Sequence, residues 1–487
     1  MIRYIQMNGH RNLFWCRVLK AIATGAASIA LFASDVIAGE ARAANSATSR
    51  EGYEKGANVK GPCARYGPRA EELGNSGICA LASGTVMGYA FKEFTDVDIG
   101  MIGQRIPVPN LAAGLPIAYY FEKDVSPQTD KIGFGALAMA DLMLVSTSSA
   151  GVFMGYIRAS FDGRSEYDDD GKLGLSLPKI DDSYYYGAIN EAWVQFNGLK
   201  VGIQPSLFGF NRVPSILNPT YTSVITTAAA SFTIGYARNF TVSISAEDGG
   251  RRNYSEGILS RERSQLSKPD WVGLVRYASG NTLYHFSAAR HNAEDTVVRD
   301  FIGGDARDVS GWAVAVGLQT KIDWSKYFGE SYADNPGRLS LTFAAAEGAM
   351  GYLGIPFFAP DYVVSSSGAV ERSTGWSAVA AYEHLWAPRW KSTLSYSMFS
   401  VNMGSPTEAL INIPPEVEMP TPVFDFDITV TGSVLQGGVE HAVSPGLTAG
   451  LEVGYTWTKA EGSYGGNKAR DLEVSYPHVG FYLRRSF

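Results

Sequence analysis

From Phe134 to the end of the chain, apolar and polar residues alternate with a period of two, in short runs divided by turn residues. That period belongs to strands with unlike faces. The run Leu447, Ala449, Leu451, Val453, Tyr455, Trp457 alternates with Thr448, Gly450, Glu452, Gly454, Thr456, Thr458. Phe153, Ile157, Ala159 and Phe161 oppose Met154, Tyr156, Arg158, Ser160 and Asp162, and Phe240, Val242, Ile244 and Ala246 oppose Thr241, Ser243, Ser245 and Glu247. The last run, Leu472 to Phe487, sets Pro477, Val479, Phe481, Leu483, Arg485 and Phe487 on one parity and Tyr476, His478, Gly480, Tyr482 and Arg484 on the other.

Turn residues divide these runs into hairpins. Short turns are expected at Ser149-Ala150-Gly151, Asn197-Gly198, Arg238-Asn239, Ser279-Gly280-Asn281, Trp386-Ala387-Pro388 and Ser444-Pro445-Gly446. Asn-Gly between EAWVQF and LKVGIQ is the clearest, because that dipeptide suits a tight type I′ turn. Between the hairpins lie longer polar stretches, among them 163–188 with Asp168-Asp169-Asp170 and Asp181-Asp182. A first strand at Ala80–Phe91, followed by a long Gly- and Pro-containing segment to Gly133, brings the count to sixteen. An even count, alternating short and long connections, and one apolar face opposite a face of Ser, Thr, Glu and Arg describe a closed sheet in lipid. Hydrocarbon cannot satisfy unpaired backbone groups, and only a closed sheet has no edges. The expectation is all-β: a 16-stranded antiparallel transmembrane β-barrel over 80–487, in a bacterial outer membrane. Trp193, Trp271, Trp312, Trp376, Trp386, Trp390 and Trp457 lie near strand ends, as an interfacial girdle requires. The apolar parity of the closing strand, with Phe481, Leu483 and the terminal Phe487, is the kind of signal that barrel-assembly machinery reads.

Composition agrees. Charged residues make up 18% of the chain, below the roughly 25% of soluble domains. Outside the N-terminus no window approaches 18 uncharged apolar residues, so no membrane helix is expected. Residues 1–43 read as a cleaved signal peptide: Arg3, Arg11, Arg17 and Lys20 precede an apolar core from Ala21 to Ala33, with candidate cleavage after Ala38 or Ala43. Its removal takes away five basic and two acidic residues and moves the net charge from −7 to −10, a balance that argues against nucleic acid. Residues 44–79 form a periplasmic lead. Cys63 and Cys79 remain after processing, and an even pair in an exported chain favours a disulfide over a metal site. No metal and no cofactor are expected.

Several phrases resemble one family. CARYGPRAEELGNSGIC (Cys63 to Cys79) keeps a C-x-x-Y-G-P opening and the spacing to a second Cys found in alphaproteobacterial outer-membrane porins. EAWVQFNGLKVGIQPSLFGFN, SISAEDGGRRN, PDWVGLVRYASG, LTFAAAEGAMGYLG, GWSAVAAYEHLWAP and GLEVGYTWTK follow in that family's order, so the likeness spans roughly 60–487. The resemblance implies a trimeric general-diffusion porin for ions and small hydrophilic solutes. It also implies that the connection at about 205–227 folds inward as a constriction loop. There the chain departs from the family, whose loops commonly carry carboxylates: Pro205 to Thr227 holds Arg212 as its lone charge.

The candidate site residues follow. Arg212, Phe208 and Tyr221 are candidates for the constriction, and Arg158, Lys200, Glu247, Arg276 and Glu452 for the pore wall. Fixed charge in a narrow channel selects ions by Coulomb attraction. An alternative is a substrate-selective channel in which Phe208, Phe210 and Tyr221 form a track for sugars or small aromatic compounds. A third reading, a barrel hydrolase drawing on His285, His291 and Asp295, lacks a spacing that ties nucleophile, base and acid together. Expected partners are outer-membrane lipid and lipopolysaccharide, two further copies of the chain, and the assembly machinery.

Overall fold

A computed structural model describes Cys63 and residues 70–73, 76–93, 96–98, 102–106, 115–119, 133–164, 185–210, 221, 223–237, 239–252, 262–263, 268–295, 307–324, 336–355, 361–364, 370–403, 426–464, 467–468 and 472–487. The proposed signal segment, the acidic runs at 168–170 and 181–182, and Arg212 lie outside the described residues.

Sixteen antiparallel strands form the wall. In order they are β1 (Ile78–Glu93), β2 (Gly133–Ser148), β3 (Gly151–Arg164), β4 (Tyr185–Phe196), β5 (Leu199–Pro205), β6 (Thr226–Ala237), β7 (Phe240–Glu247) and β8 (Asp270–Ser279). Then come β9 (Thr282–Asp295), β10 (Arg307–Ile322), β11 (Gly337–Glu347), β12 (Thr374–Ala387), β13 (Trp390–Met403), β14 (Phe426–Ser444), β15 (Leu447–Tyr464) and β16 (Leu472–Ser486). Each pairs with its neighbours in sequence, and β16 closes onto β1 with Ser486 opposite Thr85 and His478 opposite Glu93. The Phe487 N–H adds a bond to the Gly84 carbonyl at 2.9 Å. Closure leaves the wall without an edge.

The turns expected at 149–151, 197–198, 279–281 and 444–446 fall where composition places them, while the one expected at Trp386-Ala387-Pro388 lies at Pro388-Arg389 because β12 runs on to Ala387. Asn197 takes φ +51°, and its side-chain oxygen accepts from the Val152 N–H of the adjoining hairpin at 3.2 Å. Apart from the long connection 323–336 between β10 and β11, short and long connections alternate, so the barrel has a short-turn rim and a long-loop rim. Beside the long-loop rim a hairpin of Ile102–Ile106 and Leu115–Tyr119 occupies part of the first long connection, and Asp96–Asp98 pairs with the start of β16. At the short-turn rim the Cys63–Cys79 disulfide holds the lead peptide to the start of β1, and Glu71–Glu72 pairs with Cys79–Ala80.

The apolar parity faces outward. Val86, Phe153, Phe161, Ile234, Ile244, Phe286, Val316, Leu394, Leu451 and Phe481 are exposed, and so is Phe487. Trp271 and Trp312 stand on the outer face at the long-loop rim, while Trp386 and Trp390 stand at the short-turn rim. Trp193 does not join them. In β4 the register slips between Arg158 and Ala159, leaving Asn190 as an extra residue. A bulge turns everything beyond it to the other face, so Ile189 points out but Glu191 and Trp193 point in. Strict alternation read from sequence cannot see that slip.

Candidate functional site

The inward parity carries two regions of different character. One is apolar. The connection between β5 and β6 leaves the wall at Ser206 and runs across the interior to β9 and β10. There Ser287 Oγ donates to the Phe208 carbonyl (2.8 Å), and His285 Nε2 lies 3.2 Å from the same oxygen. The Phe210 ring rests on Gly317 of β10, where a Cβ would come within 2.2 Å of it. Glycine is the side chain that permits this approach. Tyr221, near the loop's return, packs edge-on against Phe399 of β13 with centroids 4.7 Å apart.

A second connection, between β11 and β12, enters the same space. Its short 3-10 turn, Met350–Tyr352, is wholly buried. Phe208, Tyr221, Ala349, Met350, Tyr352, Leu353 and Ile355 form one cluster with Val272, Ala289, Ala313, Ala315, Ala344, Ala346, Phe399, Val401, Val430 and Val434 from the inner wall. Small residues on β9 to β11 make room for the two loops. Each fully buried aromatic there contributes roughly 1.5–3 kcal/mol. Sequence reading does not anticipate this second loop. The run of alanines in LTFAAAEGAMGYLG was its signal: an inward wall stripped of bulk has to be filled from elsewhere.

Buried polar groups join the loops to the wall. Arg252, in the turn after β7, donates to Ser206 Oγ (2.7 Å), Ser223 Oγ (2.9 Å) and the Gly351 carbonyl (3.2 Å). Its guanidinium lies 3.8 Å from the centroid of Tyr352. Both ends of the β5–β6 connection and the β11–β12 turn thus meet on one cation. Glu247 Oε1 accepts from the Leu207 N–H (3.0 Å) and Ser245 Oγ (2.7 Å). Asp270 accepts from the Tyr352 hydroxyl (2.7 Å) and the Asn292 N–H (2.9 Å), and lies 2.7 Å from His291 Nδ1. His291 Nε2 is 3.5 Å from Asp361, which accepts from the Met350 N–H. Burial pushes the Tyr352 phenol well above its ordinary value, against the opposing pull of Arg252, so it remains a hydrogen-bond donor.

The other region is charged and lies on the inner wall of β2 to β5. Arg158 Nε contacts Asp141 (2.6 Å) and its Nη1 contacts Glu191 (3.2 Å). Tyr156 donates to Asp141 (2.7 Å), Trp193 stacks on Tyr156 with centroids 5.3 Å apart, and Lys200 Nζ lies 4.8 Å from the Trp193 centroid. Nearer the short-turn rim, alternating charges run from β11 to β16: Arg338–Glu383 (3.8 Å), Glu383–Lys391 (3.4 Å), Lys391–Glu440 (3.1 Å) and Glu440–Arg484 (3.4 Å).

Arg158, Lys200, Glu247, Arg276 and Glu452 all sit on the inward parity, but in different settings. Arg158 and Lys200 belong to the charged region, Glu247 is sealed under the loop, Arg276 Nε faces His285 Nδ1 (3.3 Å), and Glu452 accepts from Gln436. Phe208 and Tyr221 are buried in loop-to-wall packing, so they anchor the loop and present no ring to a passing solute. His285 engages the loop carbonyl and His291 the two carboxylates.

A family model described as a porin subfamily matches residues 140–476. No curated protein matches the chain. Among solved structures, the outer-membrane channel DcaP of Acinetobacter baumannii is similar at a TM-score of 0.53 with 13% identity, covering 86% of this chain and all of the other. An anion-selective porin from Comamonas acidovorans gives 0.42 with 11% identity over 84% of this chain and all of that one. A trimer form of OmpT from Vibrio cholerae gives 0.42 with 11% identity over 85% and 100%. At these identities the first likeness supports the shared fold.

Proposed function

The chain belongs to the porin subfamily and is an integral outer-membrane channel; from that premise we propose that its pore passes ions and small hydrophilic solutes by passive diffusion, narrowed by the inward connection at 205–227. The observation that carries the reading is the crossing of Ser206–Phe210 from β5 to β9 and β10 inside the barrel. Sixteen strands enclose a lumen wide enough for water, and a loop fixed across it sets the narrowest section.

Selectivity in this reading comes from the unlike surfaces around the passage. Asp141, Arg158, Glu191 and Lys200 line one part of the wall, and the Arg338-to-Arg484 ladder lines another. Arg212 would add a positive charge on the loop itself. The alternative of a channel selective for sugars or aromatic compounds draws support from the inward Tyr156–Trp193 pair beside Lys200, and not from Phe208 or Tyr221. Assembly as a homotrimer, recognition of the closing strand (Phe481, Leu483, Phe487) by the assembly machinery, contact with lipopolysaccharide, and the alphaproteobacterial lineage rest on the sequence resemblance. Liposome swelling with solutes of graded size separates the two channel readings. General diffusion gives rates that fall smoothly with solute size, whereas a selective channel favours one class at equal size.

A further inference from the structure

At the long-loop rim the outward residues of β8, β9 and β10 form a row: Trp271 is the direct cross-strand partner of Arg290, and Arg290 of Trp312. Cross-strand partners share a face, so the cation stands between two indoles on the membrane side of the wall. Trp271 and Trp312 are 51% and 48% exposed. Toward the short-turn rim the same face is apolar, with Ala288 and Phe286 following Arg290 on β9, and Val314 and Val316 following Trp312 on β10. Arg290 is exposed and makes no hydrogen bond or ion pair among the described residues.

Two acids along this face are already matched. Glu347, next along the row on β11, faces Arg372 at 3.5 Å and accepts from the Trp312 indole at 3.2 Å. Asp308, nearer the loop end of β10, pairs with Lys268. Among the described residues Arg290 therefore stands as a positive charge without a partner, at the height of an aromatic girdle where lipid headgroups lie. An anion on the lipid side completes it.

We propose that Trp271, Arg290 and Trp312 form a headgroup site for the phosphorylated glucosamine of outer-leaflet lipid A. A guanidinium takes a phosphate through two parallel N–H···O bonds. The two indoles, two strand spacings or about 10 Å apart, flank a space of sugar-ring width, and their apolar edges continue into the acyl region. The long loops of such barrels face outward, which places this rim in the saccharolipid leaflet. The site gives residues to the lipid partner proposed above and rests on that reading, while the pore does not depend on it.

The test titrates the folded full-length barrel in detergent with bisphosphorylated lipid A, its dephosphorylated form and phosphatidylglycerol. Binding is read by native mass spectrometry and conductance is recorded on the same samples. The wild type is expected to favour bisphosphorylated lipid A. Arg290→Ala is expected to weaken that binding by about tenfold, the scale of one charge-assisted contact, to the level of the dephosphorylated lipid. Arg290→Lys, which keeps the charge without the fork, retains part of it. Conductance stays unchanged throughout, which separates this site from the pore. Equal binding of bisphosphorylated lipid A by the wild type and Arg290→Ala, or equal wild-type affinity for phosphatidylglycerol, overturns the proposal.

Discussion

The guanidinium of Arg252 lies 3.8 Å from the centroid of the Tyr352 ring, and through that contact two separate connections are held as one body inside the barrel. Arg252 reaches Ser206 and Ser223 at the two ends of one loop and Gly351 in the other. Hydrogen bonds to a charged group contribute about 1.5–3 kcal/mol each. Arg252→Ala is expected to lower loop stability by a few such increments while the sixteen-strand wall persists. Electrophoretic heat modifiability should survive, while single-channel current becomes larger and noisier. An unaltered current would mean that the apolar cluster alone fixes the loops.

Gly317 tests that packing from the other side. A methyl group there would meet the Phe210 ring at about 2.2 Å, so Gly317→Ala has to displace a ring that seats the loop on β10. Overpacking of this kind costs typically about 1–3 kcal/mol. The expected result is faster liposome swelling with the larger sugars. Alanine at the outward neighbour Val316 should leave the rate unchanged.

Tyr352 gives the loops a dependence on pH. Its folded-state value is raised by burial, so its contribution is fully present below the ordinary phenol value near 10 and is lost as pH rises through the folded-state value. Loop anchoring through the Tyr352–Asp270 bond should be constant from pH 6 to 9 on this account and weaken only in strong alkali. Tyr352→Phe removes the bond at a cost of about 1–2 kcal/mol and should flatten the alkaline part of the current-noise profile.

Much of this arrangement was legible in the chain. Alternation such as that of Leu447 to Thr458 fixed strand number, orientation and the outward face, because lipid demands apolar residues at every second position. Asn197-Gly198 marked its turn for a local reason as well. What escaped was whatever depends on partners distant in sequence. Asn190 gives no sign of being a bulge, yet it sends Trp193 inward. Phe208 and Tyr221 looked like candidates for a solute track, and their burial follows from the second loop, which only the space left by Ala313, Ala315, Ala344 and Ala346 could have announced.

Arg158 stands between Asp141 and Glu191. Arg158→Ala removes the cation that lies between the two carboxylates, and removing one side of a buried pair costs about 3–5 kcal/mol. Reversal potential under a salt gradient should shift toward cation preference, and the shift should shrink as ionic strength rises.

The Cys63–Cys79 bridge closes a loop with a sequence separation of 16, for which chain entropy amounts to about 3 kcal/mol. It ties the lead peptide to β1 outside the strand pairing that closes the barrel. Paired Cys63→Ser and Cys79→Ser substitutions should therefore speed proteolysis of the lead and leave conductance unchanged.

Single-channel recording of the folded, heat-modifiable barrel in a planar bilayer, with reversal potential under a salt gradient, tests the central claim most directly. The account predicts discrete, long-lived openings, grouped in threes for a trimer, with current that rises in proportion to salt concentration. A folded barrel that inserts into the bilayer and carries no current would contradict it.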